Sequence, residues 1–413
     1  MHTLNRILVI TFLLPFFGSH VYCQPTKATV TQQVLGDRLN TITTAVPFLL
    51  VAPDSRAGAL GDAGVSDSPD ANSMHWNPAK YAFSDKAMGF SVSYSPWLKA
   101  LVNDINLAYL SGYMKLDDNS AIAASLLYFS LGDITFTNDL GTETGTYKPN
   151  EFSLDFCYSR KFTKRLSMAV SARYIYSNLT MGQFVGGQET HAGRSFATDV
   201  AMYYHKPFKF AGRSKGNDFS FGVNVSNIGT KISYTSSTER DFIPTNLKFG
   251  PSLTLMLDEF NQITFMMDIN KLLVPSPPIY QVDSSGIPIR DQNGNLIIQA
   301  GMDPNVGVVT GILQSFHDAP GGSKEEMQEF TYSMGVEYWY DKQFAVRGGY
   351  FHENKYKGNR KYFTLGAGLR YNVFGLDFAY LIPVDQRNPL ENTIRFSLLF
   401  DMDAFKEQNT KKQ

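Results

Sequence analysis

The feature that most constrains this chain is an alternation of apolar and polar or small residues with a period of two, repeated along most of its length. The clearest stretch, residues 152–159, reads FSLDFCYS. A period of two places successive side chains on opposite faces of a strand. About fourteen such segments of roughly ten residues lie between Ala87 and Asp401, as is typical of a bacterial outer-membrane barrel. We therefore predict an all-β fold, a transmembrane antiparallel β-barrel of about fourteen strands over residues 87–401.

The predicted strands share this alternation and lie at residues 88–94, 105–109, 121–129, 152–158, 166–176, 196–204, 219–225, 247–257, 263–269, 332–340, 344–351, 363–371, 374–380 and 394–400. The phase of residues 121–129 is ambiguous, because apolar residues occupy both series. A large soluble β-protein is the alternative. Against it, several strands end in tyrosine, which resembles the aromatic girdle at a membrane interface: Tyr94, Tyr158, Tyr176, Tyr204, Tyr340 and Tyr380.

Composition favours a barrel wall over a soluble domain, and it argues against a bundle of membrane helices and against a nucleic-acid-binding protein. Charged residues make up 18% of the chain, below the roughly 25% usual in soluble domains, and aromatic residues reach 14%. A mean hydropathy of −0.19 is too polar for a bundle of membrane helices. The net charge of −1 leaves no basic excess to neutralise phosphates, so we expect no nucleic-acid partner.

The N-terminus has the layout of a secretory signal peptide over residues 1–23. Arg6 supplies the positive region, and Ile7–Phe17 form an apolar core too short to span a bilayer. We place the mature N-terminus at Gln24 and the protein in the outer membrane of a Gram-negative cell. A lipid anchor on Cys23 is the alternative, but the residue before it is bulky. After cleavage Cys157 remains as a single cysteine, so we expect no intrachain disulfide.

Three further segments flank or precede the strands. Residues 24–46 are polar and aperiodic, which predicts a flexible arm, and residues 402–413 form a C-terminal tail. Residues 47–86 lack the alternation, and small residues crowd the stretch 57–64, which suits backbone packed tightly against other backbone. We predict that residues 47–86 plug the barrel; the alternative is an arm along the outside of a sheet. The plug residues singled out are Arg56, Asp62, Trp76, Asn77 and Pro78.

Charged residues on the polar phase of the strands are predicted to face the lumen. They carry both signs: Asp155, Arg173, Asp199, Asp268, Glu337, Arg347, Asp377 and Arg395. Mixed signs indicate a paired network that closes the lumen and holds the plug, through Arg56 and Asp62, rather than an ion filter of one sign.

One strand end runs into consecutive apolar residues and a proline cluster, DINKLLVPSPP at residues 268–278. Proline cannot donate to a strand ladder, so we expect pairing to stop there and an apolar patch to lie on a stiff arm at the rim. The alternative is a strand end capped by a rigid turn. The predicted rim residues are Asp268, Asn270, Lys271, Leu272, Leu273, Val274, Pro275, Pro277 and Pro278. Residues 275–328 then form a loop far longer than a hairpin needs, which we predict to be extracellular.

Catalytic motifs are absent from the sequence. There is no HExxH, GxSxG or CxxC, and no two histidines of the predicted mature chain share a metal-ligand spacing. We expect no enzyme activity, no catalytic residue, no metal and no cofactor.

The stretch SRAGALGDAGVSDSPDANSMHWNPA, at residues 55–79, resembles the N-terminal motif shared by PorV-type and more distant FadL-type outer-membrane barrels. DINKLLVPSPP then points to the PorV family, the barrel subunit of the Bacteroidota type IX secretion system. The later stretches AVRGGYFHE, KYFTLGAGLRY and FGLDFAYLIP agree in order, so the resemblance extends over nearly the whole predicted mature chain.

This resemblance implies a FadL-like barrel of about fourteen strands that performs no chemistry itself. It implies that the protein binds the C-terminal signal domain of secreted cargo and associates with a very large translocon barrel. It also implies delivery of the cargo to a sortase-like attachment subunit, with outer-membrane lipid around the barrel. Residues 268–278 are then partner-facing and residues 56–78 are plug. Two alternatives stay open: a FadL-type transporter of hydrophobic small molecules, and a lipid-modifying enzyme.

Overall fold

The computed structural model describes residues 39–97, 104–137, 141–185, 188–209, 217–235, 240–385, 390–391 and 393–402. The predicted signal peptide, residues 24–38 of the predicted arm and residues 403–413 of the predicted tail lie outside this part of the chain.

Fourteen antiparallel strands form a closed barrel, which confirms the predicted fold class and strand number. Each strand pairs with its neighbours in the chain, and the first pairs with the last, so Phe90 lies opposite Phe400. Closure leaves no sheet edge with unpaired backbone groups. The strands are Met88–Pro96, Asn106–Lys115, Ser120–Ser130, Asn150–Lys161, Leu166–Asn178, Gly193–Pro207, Asp218–Gly229, Asn246–Met256, Asn261–Leu272, Thr331–Tyr340, Phe344–His352, Lys361–Tyr371, Phe374–Pro383 and Ile394–Asp401.

The alternation in the sequence separates the two faces of the wall. In the first strand Ser91 and Ser93 point inward and are buried, whereas Val92 points outward. Phe156 and Phe196 are likewise 58% and 67% exposed on the outer face. An outward apolar band is what a lipid environment requires, since hydrocarbon offers no hydrogen bonds to polar side chains.

The second and third strands depart from the expected pattern. In the second predicted strand, Leu107 and Tyr109 belong to the apolar series, which was expected to face outward, yet both side chains point inward and are buried, and Leu110 faces outward. The ambiguous strand at 121–129 likewise turns Leu127 inward and Leu126 outward. The cause is an apolar contact inside the barrel: Leu107, Tyr109 and Leu127 pack in one cluster with Val46, Phe48 and Leu49.

The connections differ at the two ends of the barrel. At one end, here called the turn end, short turns such as 116–119 and 372–373 join the strands. At the other, the loop end, the connections are longer and include residues 273–330, here called the long loop. Short strand pairs lie in three of these loops: Ile134–Thr137 with Glu143–Tyr147, Phe184–Val185 with Gln188–Glu189, and Ile279–Tyr280 with Ile298–Ala300. Outer-membrane barrels have short periplasmic turns and long extracellular loops, so we expect the loop end to face the cell exterior.

Helices within the described residues are short. The α-helices are Ser55–Gly58, Ser73–Trp76, Val308–Gln314 and Ser323–Gln328, and the 3₁₀ helices are Pro47–Leu50 and Pro78–Phe83. In this part of the chain no helix has the length and apolar character needed to cross a membrane.

The chain runs through the lumen from the loop end to the turn end. The amides of Asn40 and Ala45 donate to the carbonyls of Tyr356 and Phe242, which lie in loops at the loop end, each over 3.0 Å. Residues 47–86, here called the plug, then descend inside the barrel and join the first strand at Met88. This path places the plug between the two ends of the lumen.

Candidate functional site

The plug backbone lies directly against glycines of the wall. A Cβ atom on Gly222 would lie 2.1 Å from the carbonyl oxygen of Val65, and one on Gly349 would lie 2.1 Å from the amide nitrogen of Gly61. A Cβ on Gly366 would lie 2.4 Å from that of Ala59. A side chain at any of these three wall positions would overlap the plug. The small residues of the plug therefore pack directly against the glycines of the wall.

Arg56 of the plug forms the centre of a buried ion network. Its guanidinium donates to both carboxylate oxygens of Glu337, over 2.8 and 3.0 Å, and to Asp70 over 3.1 Å. Arg347 donates to Glu337 over 2.7 Å and to Asp377 over 2.8 Å. Plug and wall therefore share a chain of charge-assisted hydrogen bonds.

Asp62 and Asp268 hold the plug at two further points. One oxygen of Asp62 accepts from Arg395 over 3.0 Å and the other from the hydroxyl of Tyr362 over 2.5 Å. Asp268 lies inside the barrel, where one carboxylate oxygen accepts from the amides of Gly64 and Val65 over 2.8 and 2.9 Å. The sequence assigned Asp268 to both the lumen and the rim; its side chain contacts the plug.

A second luminal network surrounds Arg173. This side chain pairs with Asp155 on one neighbouring strand and with Asp199 on the other, the latter over 3.0 Å, and it also bonds Asn227. Apart from Asp268, the predicted luminal charges thus fall into three groups, around Arg56, Arg173 and Arg395.

Hydrogen bonds to the plug and to the wall hold Trp76 and Asn77 inside the lumen. The indole nitrogen of Trp76 donates to Asp54 over 2.6 Å. The carboxamide of Asn77 donates to the carbonyls of Val65 and Met202 and accepts from the amide of Ala79. Pro78 begins a 3₁₀ helix, where its missing N–H leaves no hydrogen bond unmade.

The segment 268–278 differs from the expected exposed patch. Leu273 and Val274 are buried at 4% and 2% exposure, and Asn270, Lys271 and Pro275 are also buried. Only Leu272, Pro277 and Pro278 are partly exposed among the predicted rim residues. The expectation of an apolar patch on this segment is therefore corrected, because the long loop folds back over it.

Carboxylates of the second long-loop helix, and of Glu329 directly after it, hold that fold in place. Lys271 donates to Glu326 over 3.1 Å and to Glu329 over 2.5 Å. Lys357 donates to Glu325 over 2.6 Å and to Glu329 over 3.0 Å. We call these five residues the anchor cluster. Sequence reasoning missed Lys357 and the three glutamates. The available signal was the acidic stretch KEEMQE at residues 324–329, together with a lysine, Lys271, at the end of the preceding barrel strand.

Ser276 ties the proline-rich segment to the same cluster. Its hydroxyl donates to Glu329 over 2.5 Å, and its amide donates to Asp318 over 3.1 Å. Burial raises the pKa of Asp318 to about 6. The hydrogen bond from Ser276 acts to lower this pKa, and repulsion from the carboxylates of Glu326 and Glu329 acts to raise it. Burial also opposes ionisation of Glu325, but hydrogen bonds from Lys357 and Asn40 hold its pKa below the usual value.

The anchored loop exposes an apolar surface elsewhere. Val309 and Leu313 lie one turn apart on the helix Val308–Gln314 and are 71% and 66% exposed. Phe316 follows at 48% exposure. We call these three residues the apolar ridge; side chains of this type at a protein surface mark interaction sites when they adjoin one another.

Within the described residues, no three or more His, Cys, Asp and Glu side chains are grouped so as to hold a metal ion. The predicted luminal charges other than Asp268 are instead ion-paired with one another or with the plug. The arrangement is suited to closing the lumen and presenting the loop end.

Comparison with protein families gives a match over more than half of the chain. The family described as Type IX secretion system protein PorV matches residues 34–279. No curated protein matches the sequence of the chain.

Among solved structures the chain is similar to several outer-membrane proteins. The toluene transporter TbuX of Ralstonia pickettii is 11% identical with a TM-score of 0.44, covering 85% of this chain and 97% of that one. The toluene transporter TodX of Pseudomonas putida is 10% identical with a TM-score of 0.46, covering 88% and 98%. A FadL homologue of Pseudomonas aeruginosa is 12% identical with a TM-score of 0.41, covering 88% and 99%.

Proposed function

Because the chain belongs to the PorV family of type IX secretion components, we propose that it binds the C-terminal signal domain of secreted cargo. In this proposal the protein shuttles the cargo from a large translocon barrel to a sortase-like attachment subunit at the cell surface. It performs no chemistry itself. Family membership and the closed barrel establish the coarser statement, that this is an outer-membrane component of the type IX secretion system.

The observation that carries the proposal is the anchored long loop. A hairpin needs only a few residues to join two strands, whereas residues 273–330 fold into helices and a short strand pair above the barrel. Buried lysine–glutamate pairs hold this loop to the wall strand that bears Lys271 and to the neighbouring loop that bears Lys357, and the apolar ridge faces solvent. A fixed loop with exposed apolar side chains suits the binding of a folded protein domain.

The filled lumen supports binding over conduction. The plug is bonded to the wall through Arg56, Asp62 and Asp268, and wall glycines contact its backbone. The apolar luminal surface that a FadL-type transporter would use includes Leu107, Leu127 and Ile175, and the chain itself covers it with Phe48 and Leu49. We therefore retain transport of hydrophobic small molecules only as an alternative that an experiment can reveal.

Site-specific photo-crosslinking tests the proposal. A benzophenone amino acid at Leu313 of the apolar ridge should crosslink, in native outer membrane, to secreted proteins that share a C-terminal domain or to a very large barrel. The matched control is the same amino acid at Phe260, which is 52% exposed in a turn at the opposite end of the barrel. Equal crosslinking at both positions, or none at Leu313, would contradict the proposal.

A further inference from the structure

Charged residues are distributed unevenly between the two faces of the wall. Every acidic residue in the described barrel strands belongs to the inward series. Arg160 and Lys206, in contrast, point outward at the turn end, and both side chains are exposed. An outward charge is costly at the bilayer midplane but nearly free at the interface, so these two residues mark the level of the lipid head groups.

Each of these two residues follows an outward-facing tyrosine of the predicted aromatic girdle. Tyr158 precedes Arg160 by two positions, and Tyr204 precedes Lys206 by two positions, so the members of each pair share one face of the wall. Both basic residues are also the last but one of their strands. The tyrosine ring suits the membrane interface, and the longer basic side chain beyond it reaches the phosphate level.

The turn between these strands extends the positive surface. The strand Leu166–Asn178 pairs with the strands of both Arg160 and Lys206, and the turn 162–165 leads into it. Lys164 and Arg165 are exposed in that turn, beside Phe162, which is 64% exposed. We call the set of four basic residues the basic patch: Arg160, Lys164, Arg165 and Lys206.

Neighbouring acidic residues neutralise only a part of the basic patch. Asp117 interacts electrostatically with Arg160. Asp118 acts on Lys161, which is outside the patch, and Asp218 lies in the inward series, where it pairs with a histidine over 3.1 Å. The other three residues of the basic patch form no ion pair with a described residue. The patch therefore keeps a positive charge that is available to an anion.

We propose that the basic patch binds the anionic head group of a phospholipid in the leaflet around the turn end. Arg160 and Lys206 point sideways from the wall, in the series whose other members face hydrocarbon, so their partner lies in the membrane. Phosphate oxygens accept charge-assisted hydrogen bonds from guanidinium and ammonium groups. A soluble acidic protein would reach the turn 162–165 but not these two outward side chains. The proposal does not depend on the proposed cargo-binding function.

Native mass spectrometry of the purified protein in detergent tests the site. The probes are dioleoyl phosphatidylglycerol and dioleoyl phosphatidylethanolamine in equal amounts, which share their acyl chains and differ in net charge. Wild type should retain about tenfold more phosphatidylglycerol than phosphatidylethanolamine, because the amine of the latter cancels the phosphate charge. The double variant Arg160→Gln/Lys206→Gln should lower this ratio about fivefold or more.

Two further variants separate the site from misfolding and from a general charge effect. Arg160→Lys/Lys206→Arg keeps both charges and should keep the ratio. Arg194→Gln is the matched control, because Arg194 points outward from the same strand as Lys206 but lies at its opposite end, and the ratio should change by less than about twofold.

Three results would overturn the proposal: equal retention of the two lipids by wild type, an unchanged ratio in the double glutamine variant, or an equal loss in Arg194→Gln. A pull-down from native membrane reveals the other possible occupant. A protein that co-purifies with wild type but not with the double glutamine variant, when neither shows a lipid preference, would assign the basic patch to an acidic protein instead.

Discussion

At the scale of single residues, the lumen contains charges that are buried but paired. Glu337 is 2% exposed and accepts from two arginines, one on the plug and one on the wall. Removing one partner of such a group leaves the others buried without compensation, which costs far more than the intact network gains. The stability of the plugged barrel should therefore depend on individual luminal charges.

Glu337→Gln should lower the free energy of unfolding by about 3–5 kcal/mol, because Arg56 and Arg347 would lose their shared carboxylate. Urea titration of the folded barrel in detergent measures the change. The control is Lys148→Met, which removes an exposed pair with Asp133 and should change stability by less than about 1 kcal/mol. Equal effects of the two substitutions would show that the luminal network contributes no more than a surface pair.

Asp318 predicts a pH dependence of the long loop. Its pKa is raised from 3.8 to about 6 by burial, so the folded loop binds a proton more tightly than the unfolded chain does. The stabilisation is therefore full at low pH and is lost as the pH rises from about 4 to 6. Asp318→Asn should remove this dependence and protect the loop at least as well as wild type at pH 7.

Hydrogen exchange of the segment 273–330, corrected for intrinsic rates and measured from pH 4.5 to 7, tests this prediction. Asp303→Asn is the control, since Asp303 is exposed in the same loop. A wild-type loop whose protection rises across this window would contradict the assignment.

At the scale of elements, the strands were predictable and the loop packing was not. A period of two is a local property, so every barrel strand overlaps a segment that the alternation predicts, although the strand Asn106–Lys115 extends well beyond the predicted 105–109. Leu107 and Tyr109 departed from the expected face because the plug offers them an apolar contact, which no local pattern encodes. The small residues of the plug predicted tight packing, although not which wall glycines would meet them.

The anchor cluster illustrates the same limit. Lys271 pairs with Glu326 and Glu329, which are 55 and 58 positions away in the chain. Nothing in the stretch 268–278 shows that the loop returns to cover it, so its apolar residues suggested an exposed patch. Alternation in the sequence predicts which face of a strand a side chain lies on. The position of a long loop depends instead on contacts between residues that are far apart in the chain.

The wall glycines give a prediction at this scale. Gly349→Val should lower the free energy of unfolding by about 1–3 kcal/mol, because any Cβ there meets the plug backbone, which cannot move aside cheaply. The neighbouring Gly348→Val is the control, since its nearest atom would lie 3.9 Å away. Urea titration measures both variants, and a Gly348→Val effect as large as that of Gly349→Val would argue against tight contact between plug and wall.

At the scale of the whole molecule, the structure combines a closed and filled lumen with an elaborate loop end. The chain enters at the loop end, passes through the barrel as the plug and returns as the wall. A lumen crossed by bonded backbone is poorly suited to passage of a solute, whereas a fixed loop with exposed apolar side chains suits a protein partner. This division of roles agrees with membership of a secretion family.

The most direct test of the central claim is a pull-down of the tagged protein from native outer membrane, with mass spectrometry of both co-purified proteins and bound lipid. We expect the pull-down to contain secreted proteins that share a C-terminal domain, together with a very large barrel protein. A preparation free of such proteins but carrying a stoichiometric fatty acid would contradict the account and indicate a transporter of hydrophobic molecules.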